Sequence, residues 1–261
     1  SGGTFDITHQ YLDDNPAGTG SDLYTIGVTL ADDDGGTTTA STTLSVTNIA
    51  PVIDTIAASM DKRAAEPAMR AICAEYMAEI PKPTGTLVEI GCGNGATSEL
   101  IFENLTPDHW IGVDPSPGLL DRAKSRFAHR DNVQTQIGDV LQTGRPDNSA
   151  DTVVIHTVFS HIPDHIGALA EAYRILKPGG TLAVFDGDYA TNTVALFDGD
   201  PLQTAMIAAQ RHMIHDLYIM RRLPKMMADA GFAVQTTTSH GYSQTDTPDY
   251  LLTLLARGVD A

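Results

Sequence analysis

Residues 88–95 read V-E-I-G-C-G-N-G, a short apolar strand that carries an acid and then meets glycine at every second position. Each glycine removes a Cβ that would block a tight strand-to-helix turn or a close approach of the backbone to a ligand. A second apolar run, W-I-G-V-D, ends on Asp114 about one βαβ unit further along. A chain places these two features together when its backbone must pass close under a nucleoside and a carboxylate must take the ribose hydroxyls.

Around this pair, apolar runs and amphipathic segments alternate. Strands are predicted at 86–90, 110–113, 133–137, 152–155, 181–185 and 232–239, and helices at 96–104, 117–128, 166–176, 202–217 and 223–230, with Gly231 as a C-cap. An earlier helix is predicted at 67–80, with Met69, Ile72, Cys73, Tyr76, Met77 and Ile80 on one face and Pro67 in its first turn. Such alternation predicts an α/β fold, a Rossmann-like, doubly wound and mostly parallel sheet.

The net charge of −17 over 261 residues argues against a general nucleic-acid surface, which needs clustered Lys and Arg, and against an anionic membrane surface. No apolar run is long enough to span a bilayer. The two cysteines, Cys73 and Cys92, fall on a helix face and in the glycine bend, so neither reads as half of a disulfide framework, and a reducing, cytoplasmic setting is expected for this part. With no initiator Met and no leader, the chain is expected to be a fragment of a longer product.

The first fifty residues are of another kind. They hold seven Asp and no Lys or Arg. The segment 23–30 carries β-formers with Tyr24, Ile26, Val28 and Leu30 on one stripe, Asp32 to Gly36 makes a turn, and 37–47 returns as a Thr-rich strand. The runs Y-T-I-G-V-T-L-A-D-D-D-G-G and S-V-T-N-I-A-P resemble the C-terminal half of a PKD-like or cadherin-like extracellular repeat. The predicted organisation is a partial β repeat at 1–51, a small hairpin or partial sandwich, then a linker at 52–60, then the α/β domain at 61–261. The Asp-rich turn offers oxygen ligands for Ca²⁺, although a solvated hairpin loop is the simpler reading.

From about residue 67 to 257 the chain resembles the class I S-adenosylmethionine-dependent methyltransferases. The likeness rests on V-E-I-G-C-G-N-G, G-V-D-P-S, I-G-D-V, D-T-V-V-I-H-T-V-F-S-H-I-P-D and R-I-L-K-P-G-G, in the family's order. Within that family it is similar to the small-molecule group related to quinone-biosynthesis enzymes. The resemblance implies S-adenosylmethionine as cofactor and a small-molecule methyl acceptor as partner. It implies that Gly91, Gly93 and Gly95 pack under the methionine part, and that Glu89 holds the loop and reaches the ammonium. Asp114 would accept the ribose hydroxyls, and Pro115 and Ser116 would flank the adenine. Asp139 after Gly138 would accept from the adenine amino group, Val140 would offer its backbone, and His156 and Thr157 would line the floor near the sulfonium. Taken singly, Glu89 also reads as an end-of-strand acid, Asp139 as a turn residue and Ser116 as an N-cap.

Methyl transfer to an activated carbon needs alignment and exclusion of water, and a base only where the acceptor loses a proton. His161 and Asp186 are the candidates, because both follow C-terminal strand ends, where open α/β sheets bind ligands. His161 also reads as a cap for the next helix. No metal is expected. An NAD(P)-dependent oxidoreductase is the runner-up, disfavoured by glycine spacing and by K-P-G-G at 177–180, and a non-catalytic binding or adhesion module is the third reading. The family's seventh strand has no counterpart after 239, where 248–255 reads as helix. The domain is therefore expected to be C-terminally truncated and of lowered stability.

Overall fold

The computed structural model of the chain describes residues 21–31, 36–47 and 53–243. The expected helix at 248–255 and the Asp-rich turn fall outside them. Two compact units divide the chain near residue 53. In the first, β1 (Ser21–Ala31) pairs antiparallel with β2 (Thr37–Thr47), Tyr24 opposite Leu44 and Val28 opposite Ala40. This is the expected hairpin.

The second unit is built on a five-stranded parallel sheet. Its strands are β3 (Thr86–Ile90), β4 (His109–Asp114), β5 (Val133–Ile137), β6 (Ala150–His156) and β7 (Leu176–Phe185), in spatial order β5-β4-β3-β6-β7. Side chains alternate between faces with period two. Val88, Ile90, Ile111, Val113, Val153 and Ile155 join one core with α5 (His165–Ile175) and α7 (Ile219–Asp229). Leu87, Trp110 and Val154 join the other, with α2 (Pro67–Ala78), α3 (Ala96–Leu105) and α4 (Pro117–Arg126). The indole of Trp110 is fully buried, and it fits because Gly112, two residues along the same face, has no Cβ. One placed there would stand 2.2 Å from the ring.

Three expectations are corrected. The stretch expected as a linker is helical from Ile53 onward, as α1 (Ile53–Ala65). The helix expected at 202–217 is α6 (Pro201–Met213), and the chain after it turns in toward the strand ends, with the Asp216 N–H on the Ser160 carbonyl. The strand expected at 232–239 does not form. Strand propensity is realised only against a pairing partner. Phe232 instead returns to the end of α7, its N–H on the Met227 carbonyl and its ring edge-on to Tyr173 at 5.3 Å, while His240 Nδ1 lies 2.9 Å from the Glu75 carboxylate on α2. Gly231 does end α7, at φ +96°. No described helix is long and apolar enough to cross a membrane.

Candidate functional site

Strand order reverses between β3 and β6: the chain runs outward from β3 to β4 and β5 on one side, and from β6 to β7 on the other. The loops leaving these two strands face each other across the switch point, where parallel sheets open a crevice. The glycine bend leaves β3 on one side of it, and Thr157 leaves β6 on the other.

Gly91, Gly93 and Gly95 all take left-handed conformations, at φ +78°, +55° and +79°. Protein atoms also crowd them. A Cβ on Gly91 would meet Val158 Cγ2 at 2.3 Å, one on Gly93 would meet Met60 Sδ at 2.9 Å, and one on Gly95 would meet the Phe127 ring at 2.8 Å. Glycine is therefore required at these positions for the turn and its packing, before any ligand is considered. The bend is pinned to β4 by the Gly91 and Cys92 N–H groups on the Val113 carbonyl, and by the Gly93 N–H on Asp114 Oδ2 at 2.9 Å. Asp114 Oδ1 accepts from the Ser116 N–H, also at 2.9 Å. Burial raises the Asp114 pKa, opposed by these two backbone bonds.

Beside Asp114 lies a cavity of about 350 Å³ lined by Pro115, Ile137, Gly138, Asp139, Gln142 and Gly144. Asp139 caps its own turn, with Oδ1 accepting from the N–H groups of Leu141 and Gln142 at 2.7 and 2.8 Å. Ser116 is an N-cap, its hydroxyl accepting from the Leu119 N–H. The Val140 side chain belongs to the core.

Glu89 is buried between β3 and α3. The alternation of β3 sends it with Leu87 toward α3, where Oε2 accepts from Ser98 Oγ at 2.6 Å and Trp110 Nε1 at 2.9 Å. These contacts bear on holding the loop through α3. They offer no support for the expected reach to an ammonium. Burial pushes its carboxyl up to about 7 despite both bonds.

His156 is buried, with Nδ1 2.9 Å from the Tyr76 hydroxyl and its ring stacked on Phe185 at 4.8 Å. Burial, and then the charge of Arg63, hold its pKa well below the ordinary histidine value, so the ring is neutral near pH 7. Thr157 takes a left-handed conformation, φ +53°, a strained backbone for a β-branched residue and of the kind that collects at functional sites.

The two candidate bases part company. Asp186 is buried, with both oxygens committed to backbone N–H groups, Ser160 on Oδ2 and Gly187 on Oδ1, each at 2.8 Å. That makes it an anchor for the turn at 159–161 and does not support it as a base. His161 is exposed, with Nδ1 2.9 Å from the Met213 carbonyl. A carbonyl only accepts, so Nδ1 carries the proton and, in the neutral ring, Nε2 keeps the lone pair. Among the described residues no cluster of acids, His and Cys is suited to a metal.

The residues that sequence reasoning missed are on α1. Asn94 in the bend donates to the Ala57 carbonyl at 3.1 Å and to Asp61 at 3.0 Å, Arg126 bonds Asp61, and Arg63 NH1 donates to Thr157 Oγ1 at 2.8 Å. The only sequence signal was the amphipathic I-x-x-I-A-x-x-M run, hidden by its place between two units.

Residues 88–184 match the model of the family described as methyltransferase domain. Over 156 residues the chain is 29% identical to a 37.1 kDa protein of a Streptomyces fradiae transposon, covering 59% of this chain and 45% of that one. It is 33% identical over 125 residues to a methyltransferase of Schizosaccharomyces pombe, covering 44% and 45%, and 36% identical over 110 residues to a Listeria welshimeri demethylmenaquinone methyltransferase, covering 41% and 46%. The chain thus spans a little under half the length of these curated relatives. Among solved structures, a chain from a Haloferax volcanii complex of a methyltransferase with a methyltransferase activator aligns with a TM-score of 0.54 at 23% identity, over 69% of this chain and 76% of that one. A Methanococcus maripaludis S-adenosyl-L-methionine-dependent methyltransferase aligns at 0.53 and 22%, over 72% and 90%. The glycine bend lies inside the matched segment: residues 88–184 are similar to the methyltransferase domain, and the α/β unit shares the fold of these methyltransferase structures.

Proposed function

We propose that this chain transfers a methyl group from S-adenosylmethionine to a small organic acceptor. The observation that carries this reading is the Asp114 carboxylate, tied to the Gly93 N–H at the switch point and standing next to the 350 Å³ cavity. The residues present fit the cofactor. A carboxylate offers about four acceptor positions, so Asp114 can keep its two backbone bonds and still take ribose hydroxyls. The cavity walls of Pro115, Gly138 and Asp139 suit a flat adenine, and the exposed Asp139 has a second oxygen for an amino group.

The cofactor supplies an electrophilic methyl on a positive sulfur. The chain's own part is positioning: Asp114 fixes the sugar, the glycine bend admits the thioether, and Thr157 and His156 close the far wall. His156, neutral, adds no charge to repel a cation. Where the acceptor must lose a proton, His161 Nε2 is the group to take it. Resemblance to demethylmenaquinone methyltransferase over the shared segment supports an apolar, quinone-like acceptor, and the β1–β2 hairpin is read as a piece of a PKD-like repeat.

Calorimetric titration with S-adenosylhomocysteine tests the cofactor assignment. Saturable binding is expected. No heat and no thermal shift at millimolar ligand would end it.

A further inference from the structure

The cavity beside Asp114 is walled mainly by the turn that follows β5, through Gly138, Asp139, Gln142 and Gly144. The turn closes on itself, with the Asp139 N–H on the Gln142 carbonyl and the Gln142 N–H on Asp139 Oδ1. Its outgoing end is held from outside. Glu171, buried on α5, accepts at Oε1 from the Thr143 N–H at 2.8 Å and from the Thr143 hydroxyl at 2.5 Å. The Thr143 carbonyl accepts from Gln136 Nε2 on β5 at 2.7 Å. Arg174, almost one turn further along α5, covers the rest of the carboxylate, with Nε on Oε2 at 2.7 Å and NH2 on Oε1 at 2.8 Å. Burial pushes the Glu171 pKa up, but the bonds from Arg174 and Thr143 outweigh it and hold the carboxyl below its ordinary value. Glu171 is thus an ionised group standing under the end of the turn.

We propose that Glu171 is a positioning residue for the purine end of the cofactor, and that by fixing Thr143 it sets a preference for a 6-aminopurine over a 6-oxopurine. The inference rests on the methyltransferase reading above. Its first link is steric. Gly138, in the cavity wall, lies directly on the backbone that Glu171 holds: a Cβ there would stand 2.8 Å from the Thr143 carbonyl oxygen and 3.0 Å from that of Gln142. A shift of Thr143 therefore moves the wall. The second link is Asp139, which follows Gln142 through their two shared bonds. Asp139 Oδ1 is committed to the N–H groups of Leu141 and Gln142, which leaves Oδ2 for the base. An ionised carboxylate only accepts, so it attracts an amino group and repels an oxo group, provided that it is held in one orientation. The third link is the support itself. Helix α5 is seated in the core through Ala168, Leu169, Ala172 and Ile175, a firmer base than a loop. A buried charge is weak evidence for stability. What it supplies here is direction, since one oxygen takes both donors of Thr143.

Two ligands separate this role from a merely structural one. S-adenosylhomocysteine and S-inosylhomocysteine differ at the purine 6-position, amino in the first and oxo in the second. Isothermal titration of the full chain with each, for wild type, Glu171→Ala, Glu171→Gln and Thr143→Val, gives the test. Wild type is expected to prefer the amino ligand by about tenfold or more. Glu171→Ala is expected to cut that preference by about fivefold or more, mainly by weakening S-adenosylhomocysteine. Glu171→Gln keeps the shape and an oxygen for Thr143 but loses the charge, and Thr143→Val keeps the N–H bond but loses the hydroxyl. Both are expected to fall between, and both guard against an Ala variant that does not fold. Variants that weaken the two ligands by the same factor, or neither, overturn the role of Glu171 while leaving the cofactor assignment intact. A wild type that binds both ligands equally overturns it too, because the turn then does not select the base. If wild type binds neither ligand, the methyltransferase reading falls first and this inference with it.

Discussion

Asp114 Oδ2 accepts the Gly93 backbone N–H at 2.9 Å, so the end of β4 and the bend after β3 form one braced unit. The same carboxylate that is read as the ribose ligand is therefore also a structural acceptor for two N–H groups, Gly93 and Ser116. Asp114→Ala is expected to reduce stability by about 1–3 kcal/mol, because it leaves those donors without their partner. It is also expected to weaken S-adenosylhomocysteine by roughly tenfold or more, from loss of a charge-assisted bond. Denaturant titration and calorimetry separate the two effects. A folded variant with unchanged affinity would remove Asp114 from the binding site.

Glu89 makes stability depend on pH. In the fold its carboxyl is raised by burial from 4.5 to about 7. The folded state thus holds a proton that the unfolded chain releases, and this contribution is complete below pH 4.5 and is lost as pH climbs through 7. Its size is roughly 3 kcal/mol, from the shift at about 1.4 kcal/mol per unit. His156 acts in the opposite sense, since a buried neutral ring loses stability as pH falls below its ordinary 6.5. Comparison with Glu89→Gln isolates the acid: the variant is expected to gain on wild type by up to that amount between pH 5 and pH 8 in urea titrations. A pH-independent difference would show that Glu89 stays ionised in the fold.

Much of this was legible beforehand, for reasons that differ by residue. The parallel strands β3, β4, β6 and β7 announce themselves by their apolar runs, β5 by alternation, and the glycine bend must be glycine because its φ values are positive. Ser116 and Asp139 were legible as cap and turn residues because those roles are local. Glu89 was not, because its partners Ser98 and Trp110 come from α3 and β4, and only the pleat of β3 decides which face it takes. Helix α1 was hidden by its position, and the lost strand at 232–239 depends on a neighbour that local propensity does not report.

Gly91 tests whether the bend is shaped by protein or by ligand. An alanine there suffers twice: its φ of +78° is left-handed, and its Cβ would stand 2.3 Å from Val158 Cγ2. The backbone part costs about 1–2 kcal/mol for any L-residue. The steric part belongs to Val158 alone. Gly91→Ala is therefore expected to lower stability by more than about 2 kcal/mol, and Val158→Ala in the same chain to recover the steric share even after its own loss of packing is subtracted. Additive effects in that double-mutant cycle would mean that the bend relaxes away from Val158.

The two candidate bases, Asp186 and His161, are expected to fail in different ways. Asp186 is buried and spends both oxygens on the Ser160 and Gly187 N–H groups, so Asp186→Ala removes an acceptor from two backbone donors and is expected to cost about 1–3 kcal/mol of stability. His161 is exposed, and its bond to the Met213 carbonyl is of the ordinary kind, worth about 1 kcal/mol. His161→Ala is expected to leave the melting temperature nearly unchanged and S-adenosylhomocysteine affinity intact. With an acceptor that must lose a proton, kcat is expected to fall by about 10² or more, the usual range for a general base. With an acceptor that attacks through a lone pair already free, the rate should not change. A variant equally impaired with both kinds of acceptor would assign His161 to acceptor positioning and would leave proton removal to solvent.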